Sequence, residues 1–89
     1  MSWVCYLLYC ADETLYCGIT NDLDKRIAAH NAGTAAKYTR ARGPVRLTYT
    51  EDCVDRSAAS KREMAIKKLT REAKLALIQS QLAGVSTCR

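Results

Sequence analysis

No apolar stretch in this 89-residue chain approaches the roughly 20 residues needed to span a bilayer. The N-terminus lacks the basic and apolar regions of a secretory signal, so a cytoplasmic location is expected. Five cysteines are present (Cys5, Cys10, Cys17, Cys53 and Cys88), with no C-x-x-C pair and no histidine at ligand spacing. That pattern speaks against both a zinc site and a disulfide framework, and it reads as small buried apolar residues in a reducing compartment. Low-complexity runs are also missing, and with 48% hydrophobic residues the chain can bury a core. Its length suits one compact domain and is too short for two. Residues 1–83 are read as that domain and 84–89 as a loose tail.

What the chain has in excess is positive charge. Fourteen Lys and Arg against nine Asp and Glu leave a net +5. Such a field concentrates polyanions such as nucleic acid near the surface, although a merely solvated surface gives the same count.

Trp3 to Cys10 is an apolar, aromatic and β-branched run, and Thr14 to Thr20 is a second. The turn-forming stretch Ala11, Asp12, Glu13 lies between them, which predicts a β-hairpin. Asn21 or Asp22 can cap a helix with Leu23 and Ile27 at i, i+4 and Gly33 as its stop. Gly33 to Gly43 has no sustained apolar period and carries Lys37, Arg40 and Arg42, so it reads as a basic loop. Pro44 then opens a strand in which Val45, Leu47 and Tyr49 alternate with Arg46, Thr48 and Thr50.

Asp55 or Ser57 can cap a second helix reaching about Leu69, with Ala58, Ala65, Ile66 and Leu69 on one face. Thr70 can cap a third, carrying Leu75, Leu77, Ile78 and Leu82 and stopped by Gly84. The order ββαβαα predicts an α/β domain of α+β type, a mainly antiparallel three-stranded sheet flanked by helices.

Several polar residues stand out against this frame. Tyr6 and Tyr16 lie on the two hairpin strands, and Arg26 and His30 are i, i+4 neighbours on the first helix. Glu63 falls on the second, about 100° from the centre of its apolar face. Each has a plain alternative: strand tyrosines usually pack, and helix charges usually face water. A boundary carboxylate such as Glu63 can instead look into a cleft.

Val4-Cys5-Tyr6, followed by Tyr16-Cys17-Gly18, resembles the two half-motifs that name the GIY-YIG nuclease superfamily. The stretch Thr20 to Ile27 with His30-Asn31 resembles the helix that follows them. Lys37-Tyr38-Thr39, Gly43 to Leu47, and Arg62-Glu63 with Ile66 to Leu69 are similar to its small stand-alone bacterial members. The resemblance covers roughly residues 3 to 78. Val4 stands where the motif has its first glycine, and Cys5 and Cys17 replace its isoleucines. No Asn follows Asn31 to supply the late polar residue of many family nucleases, and Gln79 is the nearest substitute.

The resemblance implies a GIY-YIG fold and a divalent-metal-dependent endonuclease. Glu63 would ligate Mg²⁺ or Mn²⁺, a hard cation suited to carboxylate and phosphate oxygens. Tyr6, with Tyr16 beside it, would orient or deprotonate the attacking water, which calls for a phenol pKa lowered by nearby cations. Arg26 would clamp the phosphate oxygens, His30 would share proton transfer or hold a phosphate, and Gly18 would leave room at the site. Lys37, Arg40, Arg42, Lys67 and Lys68 become expected phosphate contacts, with DNA, or alternatively RNA, as the partner.

No recognition helix or zinc finger accompanies these residues, so low sequence specificity and selection of branched, nicked or damaged DNA are expected. The alternative is a weakly active nucleic-acid-binding module acting through a partner. Geometry sets a condition on the first reading. A three-residue loop at Ala11 to Glu13 pairs Tyr6 with Gly18 and Tyr16 with Leu8, whereas a two-residue turn sends the phenols to opposite faces. Arg26 and Glu63 must also converge on the tyrosine face.

Overall fold

The computed structural model describes residues 3–40 and 42–84. Strands β1 (Trp3–Tyr9) and β2 (Leu15–Thr20) form the expected hairpin. The Cys10 N–H donates to the Thr14 carbonyl and the Glu13 N–H to the Cys10 carbonyl, both at 2.9 Å, which closes a three-residue loop. Asp12 holds the loop by accepting from the Thr14 hydroxyl (2.6 Å) and the Thr14 N–H (3.2 Å). Glu13 adopts the left-handed conformation, φ 68°, that such loops require at their last position. The register is therefore the odd one: Tyr6 lies opposite Gly18 and Tyr16 opposite Leu8.

Strand β3 (Arg46–Cys53) pairs antiparallel with the other side of β1, giving the order β2-β1-β3. A bulge interrupts this pairing, because Leu7 faces Tyr49 while Leu8 faces Leu47. Thr48 is the extra residue, and its hydroxyl donates to the Leu7 carbonyl at 3.0 Å. The expected alternation of Val45, Leu47 and Tyr49 along one face is thereby broken. Val45 joins the core of Tyr6, Leu8 and Cys10, whereas Tyr49 packs with Cys5, Leu7 and Cys17 on the opposite face.

Helix α1 (Leu23–Ala32) is capped by Asp22, whose carboxylate accepts from the Lys25 N–H, and ends at Gly33 with φ 81°. Leu23 and Ile27 lay it on the Tyr6 face. Asn31 ties its end to the sheet, accepting from the Val45 N–H (2.7 Å) and donating to the Val45 carbonyl (3.3 Å). The expected basic loop contains a single helical turn, α2 (Lys37–Arg40). Helix α3 (Arg56–Lys67) is capped by Asp55 and α4 (Arg71–Gly84) by Thr70.

Both later helices cover the other face of the sheet, through Ala59 and Ile66 of α3 and Leu77 and Ile78 of α4. Gly84 is the last residue of α4 rather than the first of a tail, and residues 85–89 lie outside the described residues. Cys5, Cys10, Cys17 and Cys53 are free and buried, as expected, and Cys88 lies outside the described residues.

A left-handed Glu13 is a local cost that glycine does not carry. Replacing it, Glu13→Gly, is expected to raise unfolding stability by up to about 1 kcal/mol once the looser unfolded chain is counted. Chemical denaturation measures this, and a loss of stability would contradict the three-residue loop.

Candidate active site

Tyr6 is the middle of the central strand and 1% exposed. Its partner Gly18 makes room for the phenol: a Cβ there would lie 2.5 Å from the Tyr6 hydroxyl and 2.7 Å from Cζ. His30, 1% exposed in the last turn of α1, comes down on the same face. Its Nε2 lies 2.9 Å from the Tyr6 hydroxyl. Its ring meets Tyr16 edge-on at 5.1 Å and Tyr6 at 5.9 Å between centroids. The structure thus brings together Tyr6, Tyr16, Gly18 and His30, as the odd register requires. The other imidazole nitrogen, Nδ1, lies 2.8 Å from the Thr39 hydroxyl on α2.

Arg26 stands one helical turn before His30, exposed beside a groove of about 320 Å³ that it lines with Thr20, Asn21, Asp22, Lys25 and Ala29. A larger hollow, about 370 Å³, lies at the hairpin-turn end around Tyr9, Glu13 and Pro44 and includes none of the expected site residues. Neither hollow is lined by Tyr6, Tyr16 or His30, but the Arg26 groove opens along α1, the helix that packs on their side of the sheet.

The electrostatics correct one expectation. The Tyr6 phenol is raised, not lowered: burial pushes it up first, Tyr16 adds to this, and the opposing pull of Arg26 is too weak to reverse it. Burial also depresses His30, with Arg26 adding to the effect, so the imidazole is held neutral. A buried neutral phenol against a buried neutral imidazole is a proton-sharing pair and not a preformed phenolate.

Glu63 departs from expectation twice. Ala65 and Leu69 are exposed, and the helix ends at Lys67, so Leu69 does not extend its period. The inward face is centred on Ala59 and Ile66, which puts Glu63 within it and not at its boundary. Its side chain is 22% exposed and pairs with Lys67 at 3.4 Å. Secondly, α3 covers the face opposite α1, so Glu63 and Arg26 approach from the two sides of the sheet and do not share the tyrosine face. Both charges nonetheless act on Tyr6, Glu63 raising and Arg26 lowering its phenol.

The expected phosphate contacts divide. Lys37, Arg40 and Lys68 are exposed. Lys67 is engaged by Glu63, and Arg42 by Asp12, at 2.9 Å. Arg42 also accepts from the Ala11 N–H through its carbonyl, so it fastens the 33–43 segment to the hairpin turn. Gln79 is exposed on α4, whereas Gln81 holds the Thr50 backbone at the far edge of the sheet. Thr39, fully buried, belongs to the matched Lys37-Tyr38-Thr39 stretch but has no place in the expected site, because in sequence its segment looks like a solvated basic loop.

A GIY-YIG motif pair in this register, with its helix and site residues around it, defines the class, and the chain belongs to the GIY-YIG family. The family model for the GIY-YIG catalytic domain matches residues 2–76. The UPF0213 protein CPE1444 of Clostridium perfringens is 58% identical over 76 residues, covering 85% of this chain and 82% of that protein. The UPF0213 protein DP2720 of Desulfotalea psychrophila is 49% identical over 86 residues, covering 96% and 78%.

Among solved structures, the solution structure of protein EF2693 from E. faecalis is similar, with a TM-score of 0.62 at 41% identity over 90% of this chain and 85% of that one. That of the UPF0213 protein BH0048 from Bacillus halodurans gives a TM-score of 0.57 at 40% identity, covering 89% and 84%.

Because Gly18 is filled by the Tyr6 hydroxyl, Gly18→Ala should push the phenol off His30 and cost about 1–3 kcal/mol, the range for overpacking a core. Thermal unfolding together with the NMR signals of the His30 ring tests this. An unchanged ring environment would show that the space over Tyr6 is slack.

Proposed function

We propose that the protein is a divalent-metal-dependent endonuclease that hydrolyses DNA phosphodiester bonds with low sequence specificity, selecting substrates by structure or damage and serving DNA repair in the cytoplasm. The observation that carries this reading is the Tyr6–His30 pair, packed against Gly18, with Arg26 one helical turn before His30.

In this reading the scissile phosphate sits at the free edge of β2, where groups from both faces of the sheet can reach it. Arg26 donates to its non-bridging oxygens, and its planar guanidinium suits them. The oxygen of an attacking water bonds to phosphorus while the bond to the departing bridging oxygen breaks, and that departing oxygen takes a proton from solvent. The water gives its proton to the Tyr6 oxygen as the Tyr6 proton passes to His30 Nε2. This concerted handover removes the need for a free phenolate, which burial disfavours. The charge of the arriving phosphate favours the imidazolium that results. Tyr16, against the His30 ring, narrows the space left to the water.

Among the described residues no group of three or more His, Cys, Asp or Glu could by itself hold a metal ion. A lone carboxylate fits Mg²⁺ or Mn²⁺ all the same, because such ions are commonly held by one or two carboxylates with waters and substrate phosphates. Glu63 would be that ligand, released from Lys67, and the bound ion would supply charge stabilisation at the phosphate.

The experiment is incubation with branched, nicked and linear DNA in Mg²⁺, Mn²⁺ or EDTA. Cleavage that EDTA stops, and that Glu63→Ala lowers by at least about a hundredfold without loss of DNA affinity, supports the reading. Undiminished cleavage by that variant sinks the assignment of Glu63. Binding with no cleavage in any metal would instead favour a nucleic-acid-binding module.

Phosphate contacts are tested separately. Replacing Lys37 and Arg40 together with Ala should lower the salt dependence of binding by about two units of slope, roughly one per contact, equally for all sequences. An unchanged slope would return both to a solvated surface.

A further inference from the structure

We infer that Thr39 is a positioning residue that fixes which nitrogen of His30 carries the proton, and so makes His30 an acceptor toward Tyr6; its part in the reaction rests on the nuclease reading above. The Thr39 side chain is fully buried, and its hydroxyl lies 3.3 Å from the Ala36 carbonyl and 2.8 Å from His30 Nδ1. The carbonyl can only accept, so both contacts are satisfied together only if the hydroxyl donates to Ala36. A hydroxyl has one proton to give. Given to Ala36, it leaves the Thr39 oxygen only as an acceptor, so the proton between Thr39 and His30 must belong to Nδ1. In a neutral imidazole Nε2 is then bare, and the 2.9 Å contact with Tyr6 is closed by the phenol donating to it.

Among the described residues, Tyr6 approaches the ring from β1, Tyr16 from β2 and Arg26 from its own helix, and Nδ1 meets the Thr39 hydroxyl. A threonine bonding back to the carbonyl three residues earlier is common in short helices. What distinguishes Thr39 is complete burial against a buried histidine, in a segment whose neighbours Lys37 and Arg40 are exposed. The turn of helix that would grip a phosphate is the one that sets the ring.

The chain has one histidine, so its ring nitrogens can be read directly by long-range proton–nitrogen correlation in uniformly labelled protein. The wild-type ring at pH 8 is expected to show a protonated Nδ1 and a bare Nε2. Thr39→Val, close to isosteric, should lose that single pattern in favour of the Nε2–H form, and Thr39→Ser should keep it. In cleavage, Thr39→Val should lower kcat about tenfold to a hundredfold with KM little changed, the scale of a misplaced acid–base group, while Thr39→Ser stays within about threefold of wild type.

A wild-type ring protonated on Nε2 overturns the inference outright. So does a Thr39→Val protein that keeps the wild-type ring pattern. Should wild type fail to cleave DNA, the nuclease reading fails while the ring measurement still decides Thr39. If Thr39→Val does not fold, the wild-type and Thr39→Ser rings decide it alone.

Discussion

Side chains alternate along a strand, so the number of residues in the turn between β1 and β2 decides which of them meet. Three residues, closed by the left-handed Glu13 and held by Asp12, place Tyr6 opposite Gly18 and Tyr16 on the same face. Much of the site follows from that count. Gly18 is small where the Tyr6 ring needs space, and His30 can descend between the phenols because both lie on the α1 side. One residue fewer would have left the imidazole facing a single phenol and the other beneath α3.

The register also creates an electrostatic problem that the fold resolves locally. A phenol, an imidazole and a hydroxyl are all buried on that face, and each would be costly without a partner. They satisfy one another in a chain from Tyr6 through His30 and Thr39 to the Ala36 carbonyl. Among the described residues no buried side-chain polar atom is left without a partner. The same burial raises the Tyr6 phenol and depresses the His30 imidazole, so both are neutral.

Much of this was legible in the residues. The hairpin, a cap at Asn21 or Asp22, another at Asp55 or Ser57, the Thr70 cap and the stop at Gly33 follow from turn chemistry and strand periodicity, which act over a few residues. The structure chose Asp22, Asp55 and, of the two registers the turn allowed, the one pairing Tyr6 with Gly18. The misreadings involve contacts distant in sequence. The bulge at Thr48 depends on how β3 meets β1, and the inward face of α3 depends on which side of the helix the sheet covers. Counting apolar residues misjudged that face because Ala65 is exposed and Leu69 lies past the helix end. The ion pair of Arg42 with Asp12 also joins residues thirty apart, and burial, which sequence does not report for a single tyrosine, reversed the expected shift of Tyr6.

Arg26 and Glu63 reach the neighbourhood of Tyr6 from opposite sides of the sheet, so one phosphate can touch both only at the edge of β2. The central claim is that the scissile phosphate lies there. It is tested most directly by a crystal structure of the Tyr6→Phe protein, which retains the proposed metal ligand, bound to nicked duplex DNA with Mg²⁺. The account requires a backbone phosphate at the β2 edge beside Gly18, within hydrogen-bonding distance of Arg26 and joined to Glu63 through the ion. Phosphates that follow only the Lys37 and Arg40 surface and leave that edge empty would contradict it.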